Sequence, residues 1–236
     1  MLEDFNNFYI VSDLHLHHRN ICLYCPKRRK QYYLNNGDYA RQNALIHEMD
    51  EMLLSQFDEL PEGSTVINLG DIFLSSHLAY EELKSMIDRM HNGNKKLWLV
   101  LGNHDKVPSR FPEGYQLLDP ITFWKNVGFD KVFEFPVLIE NKFLLSHEPV
   151  YMEPGTVFVN IHGHIHDSIL DEDYFNRSCE NHEMMDRVIA YNVSKQTNLD
   201  IFTGITRSDR KVDINSYRNV CWDYLGKPVP LSEVLY

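Results

Sequence analysis

The chain has 236 residues, 43% of them hydrophobic and 24% charged, with a formal net charge of -11. That is enough chain for one substantial core, and the composition is globular, not disordered. The acidic balance argues against a surface that is one continuous nucleic-acid or membrane footprint, and no apolar run reaches the length of a bilayer span.

Met1-Leu2-Glu3-Asp4 lacks the apolar core of a secretory signal, so a reduced cytoplasmic protein is expected. Phe8-Tyr9-Ile10-Val11 reads as a short buried strand. It runs into Ser12-Asp13-Leu14-His15, where a carboxylate and an imidazole stand two apart. On an extended chain such a pair shares a face, and together they make half of a metal site. The plainer alternative is a capping Asp13 and a surface His15. His17, His18, Arg19 and Asn20 follow as a polar cluster. Cys22 and Cys25 form a C-x-x-C. A structural zinc would need a second ligand pair, and Cys179 and Cys221 are isolated, so ordinary reduced cysteines are expected. Lys27-Arg28-Arg29-Lys30 is expected to be solvated, with contact to an anionic substrate as the alternative.

Residues 38–57 carry Leu45, Met49, Met52 and Leu53 at helical spacing, with His47 as a packing or surface residue. Residues 64–69 are strand-like and lead into Gly70-Asp71, a carboxylate at the strand end where α/β proteins commonly bind ligands. Residues 80–90 form an amphipathic helix. The apolar strand 96–101 then ends in Gly102-Asn103-His104-Asp105. Residues 111–128 read as a loop with a short helix. Short strands follow at 131–135, 137–140 and 143–146, the last tipped by His147. The strand 156–161 enters Asn-Ile-His-Gly-His-Ile-His-Asp, where His164 and His166 are expected to aim at one point. His162 is read as buried or as a support behind that cluster. From 169 to 216 the signal fades to a hint of strand at 188–193. Residues 218–223 are strand-like, and 230–233 suggest a short helix.

Strand after strand thus finishes on groups that can bind metal or carry a proton. One such tip has a bland explanation; the recurrence does not. The ordered series D-x-H, G-D, G-N-H-D, H and G-H-x-H resembles the calcineurin-like metallophosphoesterase superfamily. Ser-Asp-Leu-His with His18-Arg19-Asn20-Ile21, and the closing Asn219-Val220-Cys221-Trp222-Asp223, are also similar to a small bacterial and phage branch of it.

The resemblance implies an α/β fold, a two-sheet β-sandwich flanked by helices, as a single domain over 1–236 with 169–216 a family-atypical elaboration. It implies two divalent ions, manganese first, with iron, zinc or nickel as alternatives. Asp13, His15 and His166 would hold one ion; Asn103, His147 and His164 the other; Asp71 would bridge them. The implied reaction is phosphate-ester hydrolysis with a metal-bridging hydroxide as nucleophile and His104 as general acid. Asp105 would orient His104 or serve as a turn residue. His18 and Arg19, next in sequence to the site, are candidates for substrate binding. A phosphodiesterase on a nucleotide or nucleic-acid-derived substrate is favoured over a phosphomonoesterase, and a non-catalytic metal-binding module is the remote alternative. No membrane partner is expected. The implied location is the cytoplasm of a bacterial or phage-infected cell, and oligomeric state stays open.

Overall fold

The computed structural model describes residues 5–34, 37–74, 79–108, 111, 113–152, 154–176 and 211–235. Two β-sheets lie against each other. The first contains β1 (Phe8–Val11), β2 (Thr65–Asn68), β3 (Lys96–Val100) and β4 (Lys131–Phe133), all parallel, and closes on β9 (Val229–Pro230), antiparallel to β1, in the order β4-β3-β2-β1-β9. The second contains β5 (Val137–Ile139), β6 (Phe143–Ser146), β7 (Val159–His162) and β8 (Tyr217–Asn219) in sequence order. β5 runs antiparallel to β6; the other pairs are parallel.

Side-chain alternation along each strand sorts the core into layers. Val11, Val66, Leu97 and Leu99 point to the helices, while Ile10, Ile67, Trp98 and Val100 point to the second sheet, where they meet Phe143, Leu145 and Ile161. Each fully buried side chain of this size contributes about 1.5–3 kcal/mol. The far face of the second sheet, with Leu144 and Tyr217, is covered by Tyr151, Met152, Ile165 and Phe175.

Helices α1 (Ile21–Tyr24), α2 (Pro26–Tyr32), α3 (Tyr39–Asp58), α4 (Tyr80–Met90), α5 (Glu113–Gln116) and α6 (Pro120–Val127) follow the strands of the first sheet. α3 starts on Asp38, whose side chain accepts from the Arg41 amide, and buries Gln42, Leu45, Ile46, Met49, Asp50, Leu53, Leu54 and Phe57 at helical spacing. Asp119 caps α6 in the same way, with Pro120 next. Short helices α7 (Glu172–Asn176), α8 (Trp222–Leu225) and α9 (Leu231–Leu235) complete the described chain.

Several expectations need correction. The basic run 27–30 lies in α2, and Arg28 is fully buried, so the run is not simply a solvated patch. Pro26 sets the first turn, and the helical period then carries Arg28 and Tyr32 inward together. Residues 111–128 hold two helices. β7 starts at Val159 and takes in His162. The closing strand ends at Asn219 and turns into α8. The hint of strand at 188–193 falls outside the described residues.

One residue stitches the sheets together. Ser12, just past β1, donates its amide to Val220 O at 3.0 Å and accepts from the Trp222 amide at 2.9 Å. Its neighbour Asp13 donates its amide to Gly70 O, past the end of β2. The C-terminal tips of β1, β2, β3, β6 and β7 therefore converge at this seam.

Candidate metal centre

At the seam the chain leaves extended geometry. Asp13, His15, Asp71, His164 and His166 all have φ between 49° and 69°. Non-glycine residues seldom occupy this left-handed region, and where they do the surroundings must enforce it. The expected extended alternation is therefore not what aims these side chains; a string of left-handed turns is. Two glycines make room. A Cβ on Gly102 would overlap Asp71 Oδ1, and one on Gly163 would overlap Ser12 Oγ and Asp13 Oδ2.

The side chains converge. Asp71 Oδ1 accepts from the His104 amide at 2.9 Å. Asp71 Oδ2 instead faces His15 Nε2 at 3.6 Å, His147 Nε2 at 3.5 Å and His104 Nε2 at 4.0 Å. Asp13 is divided likewise. Its Oδ2 accepts from the His164 amide (2.8 Å) and the Cys221 thiol (3.2 Å). Its Oδ1 lies 3.7 Å from His15 Nε2 and 4.0 Å from His166 Nε2. His147 Nε2 also stands 2.9 Å from Asn103 Oδ1 and 3.2 Å from His164 Nδ1.

The outer hydrogen bonds fix the rings. His147 Nδ1 donates to Leu69 O at 2.7 Å, and His166 Nδ1 to Asp223 Oδ2 at 2.8 Å. Each ring then turns the Nε2 lone pair inward, the arrangement that metal-binding histidines adopt. His15 Nδ1 meets His18 Nδ1 at 3.2 Å, which does the same for His15.

Inside this ring, Asp13 Oδ1 and His15 Nε2 are buried and have no hydrogen-bond partner. Such orphans cost several kcal/mol unless something compensates them. Burial would raise the Asp13 carboxyl, but the imidazoles of His15, His147 and His166 outweigh it and hold it well below the usual range. Burial and the nearby Asp13 raise Asp71, while burial and Asp71 push Asp105 up to about 6. Burial lowers His15 and His164 to about 4, so both rings offer lone pairs. Crowded carboxylates, the neutral imidazoles of His15 and His164 and orphaned donor atoms together fit divalent cations, and at the strand tips two groups of donors are close enough to share one: Asp13, His15, His166 and Asp13, Asp71, His147.

The Asp105 carboxylate hydrogen-bonds to backbone amides. Its Oδ2 accepts from the Asp71 and Gly102 amides, both at 2.8 Å, and its Oδ1 from the Ile72 amide at 3.0 Å. These bonds pin the loop that carries Asp71. His104 itself is 39% exposed.

The sequence reading missed a clamp behind the site. Arg28 donates through Nε and Nη2 to both Asp223 oxygens (2.8 and 3.0 Å), and through Nη1 and Nη2 to Leu14 O and Asp13 O, both at 2.7 Å. Burial would raise Asp223, but His166 and Arg28 outweigh it and hold the carboxyl at about 2. His18 reaches the cluster, and burial lowers it to about 3. Arg19 instead stacks over Tyr39, 4.9 Å from the ring centroid. His162 faces the far side of the second sheet, against Tyr217.

A family model described as calcineurin-like phosphoesterase matches residues 7–206. The uncharacterized protein MJ1445 of Methanocaldococcus jannaschii is 24% identical over 211 residues, covering 86% of this chain and 93% of that protein. The family match encloses all five strand-tip motifs and most of the chain, and on that ground the chain belongs to the calcineurin-like phosphoesterases.

Proposed function

We propose that the protein is a two-metal phosphodiesterase. The observation that carries this reading is Asp71 Oδ2, which lies 3.6 Å from His15 Nε2 and 3.5 Å from His147 Nε2, too far for hydrogen bonds to either. One carboxylate oxygen thus stands between two groups of inward-facing imidazoles. Asp13, His15 and His166 would hold one ion, and Asn103, His147 and His164 the other, with Asp71 shared. Mixed carboxylate, amide and imidazole donors suit manganese, which is the ion to test first. When bound, the ions would neutralise phosphoryl charge and activate water for attack.

The chain's own groups do the rest. His104 is our candidate general acid: its amide is anchored on Asp71 Oδ1, and its ring stands open enough to give a proton from Nε2 to a departing oxygen. His18 steadies His15. One feature supports a diester over a monoester. A cleft of about 560 Å³ opens beside His164 and His166, lined by residues 164–169 and Tyr174, with room for a second ester substituent. Buried free thiols at Cys22, Cys25 and Cys221 suit a reducing cytoplasm.

The test compares chromogenic bis-ester and mono-ester hydrolysis with added Mn²⁺. Faster bis-ester turnover is expected; faster mono-ester turnover overturns the substrate class. His104→Ala should slow turnover by ~10²–10⁴-fold with metal content unchanged. Loss of metal and activity together would remove the general-acid role.

A further inference from the structure

We propose that His17, His47 and Asp50 form a further cation site, separate from the strand-tip centre, that takes a borderline divalent ion of the zinc type. One donor atom from each residue lies within 4.8 Å of the other two. His47 and Asp50 stand three apart on α3, hence on neighbouring positions of one helix face. His17 is brought to them from the loop that follows β1. Its backbone is left-handed, with φ 56°, and its amide donates to Asp50 Oδ1 at 2.9 Å.

The second observation is an orphan pair. Asp50 is 2% exposed, and its Oδ2 has no hydrogen-bond partner; His17 Nδ1, also buried at that atom, has none either. The two atoms face each other at 3.4 Å. A hydrogen-bonded ion pair would close to about 2.7–2.9 Å. Two donors on one tetrahedral zinc, with bonds of about 2.1 Å, stand about 3.4 Å apart. An ion pair would also leave His47 without a part, whereas its ring meets that of His17 edge-on with centroids 5.2 Å apart. Because His47 is exposed, rotation of its side chain can complete the set. Two imidazoles and one carboxylate are donors zinc accepts, and three protein ligands leave a fourth position for water or an outside ligand.

A cation here would tie the loop between His15 and His18 to α3. That loop carries one proposed ligand of the main centre and the histidine behind it, so occupancy of this site would stiffen the main one from the side. Nothing in the proposal depends on what the main centre hydrolyses.

The experiment is metal counting on the full chain, purified without a histidine tag, stripped with chelator and reloaded with Zn²⁺ or Co²⁺. His47→Ala should bind about one equivalent less than the unaltered chain. His47→Gln, which keeps more of the side chain's bulk, should show the same loss. With Co²⁺, the visible absorption due to that equivalent should disappear in both variants. Asp71→Asn, which disturbs only the main centre, should keep the His47-dependent equivalent. Equal metal content with and without His47 overturns the site. So does loss of all bound metal on removing His47, because the site would then not be separate. Failure of the phosphodiesterase reading would leave these counts unchanged.

Discussion

Replacing Arg28 by methionine keeps most of the side chain's length and removes its charge. The guanidinium is fully buried and serves four oxygen acceptors: both oxygens of Asp223, and the carbonyls of Leu14 and Asp13. Without it, the Asp223 carboxylate loses its permanent cation and keeps the His166 Nδ1–H hydrogen bond. Breaking a buried pair from one side costs about 3–5 kcal/mol, since the surviving charge is left in a poor solvent. For a chain of this size each kcal/mol lowers Tm by about 2–4 °C, so a fall of ~6–20 °C is expected. Urea and thermal melts followed by circular dichroism measure it. A double-mutant cycle adds the decisive arm: Arg28→Met with Asp223→Leu should be much less destabilised than the sum of the two single changes, because no charge is stranded. A loss below about 1 kcal/mol in Arg28→Met, or additive effects in the double variant, would refute the clamp.

Gly163→Ala should leave secondary structure in place but abolish metal uptake at the strand-tip centre, because the new methyl group overlaps Asp13 Oδ2; isothermal titration with Mn²⁺ reads this, and wild-type affinity would count against the packing argument. Asp105→Asn turns an amide NH₂ towards a backbone N–H that a carboxylate oxygen now satisfies, costing about 1–3 kcal/mol; metal affinity should weaken ~10–100-fold, and unchanged affinity would show that Asp71 needs no such support. Burial raises the Cys22 thiol to about 11. Its folded pKa lies above the unfolded value of 9.0, so its share of stability is complete below pH 9 and fades as pH climbs towards 11. Alkylation at pH 8 should leave Cys22 unmodified until denaturant is added, and rapid labelling of the native protein would contradict this.

The main centre was legible because its side chains have unusual chemistry and sit where strands stop. Asp13, His15, Asp71, His104, His147, His164 and His166 could be picked out by type and order alone. Counting by twos, however, groups His162 with His164 and His166, and the structure separates them. His162 is still in β7 and follows the pleat outward, whereas Gly163 and the left-handed His164 break the period and send the later rings inward. Arg28 hid in a basic run whose helical phase was readable in retrospect: Pro26 fixes the start, and Arg28 and Tyr32 are four apart. Asp223 carried no local mark, because its meaning lies in a partner 195 positions away. The left-handed turns were also beyond reach, since nothing in an Asp or His demands them.

That long reach has a consequence for synthesis. Arg28 leaves the ribosome 195 positions ahead of Asp223, and Asp13 208 positions ahead of Cys221, the residues that hold them. A nascent chain can carry every donor from Asp13 to His166 and still have no latch to set the angle of His166 or to engage Arg28. Truncation just short of Asp223 should therefore yield a chain whose donor set is intact on paper and whose pocket is slack.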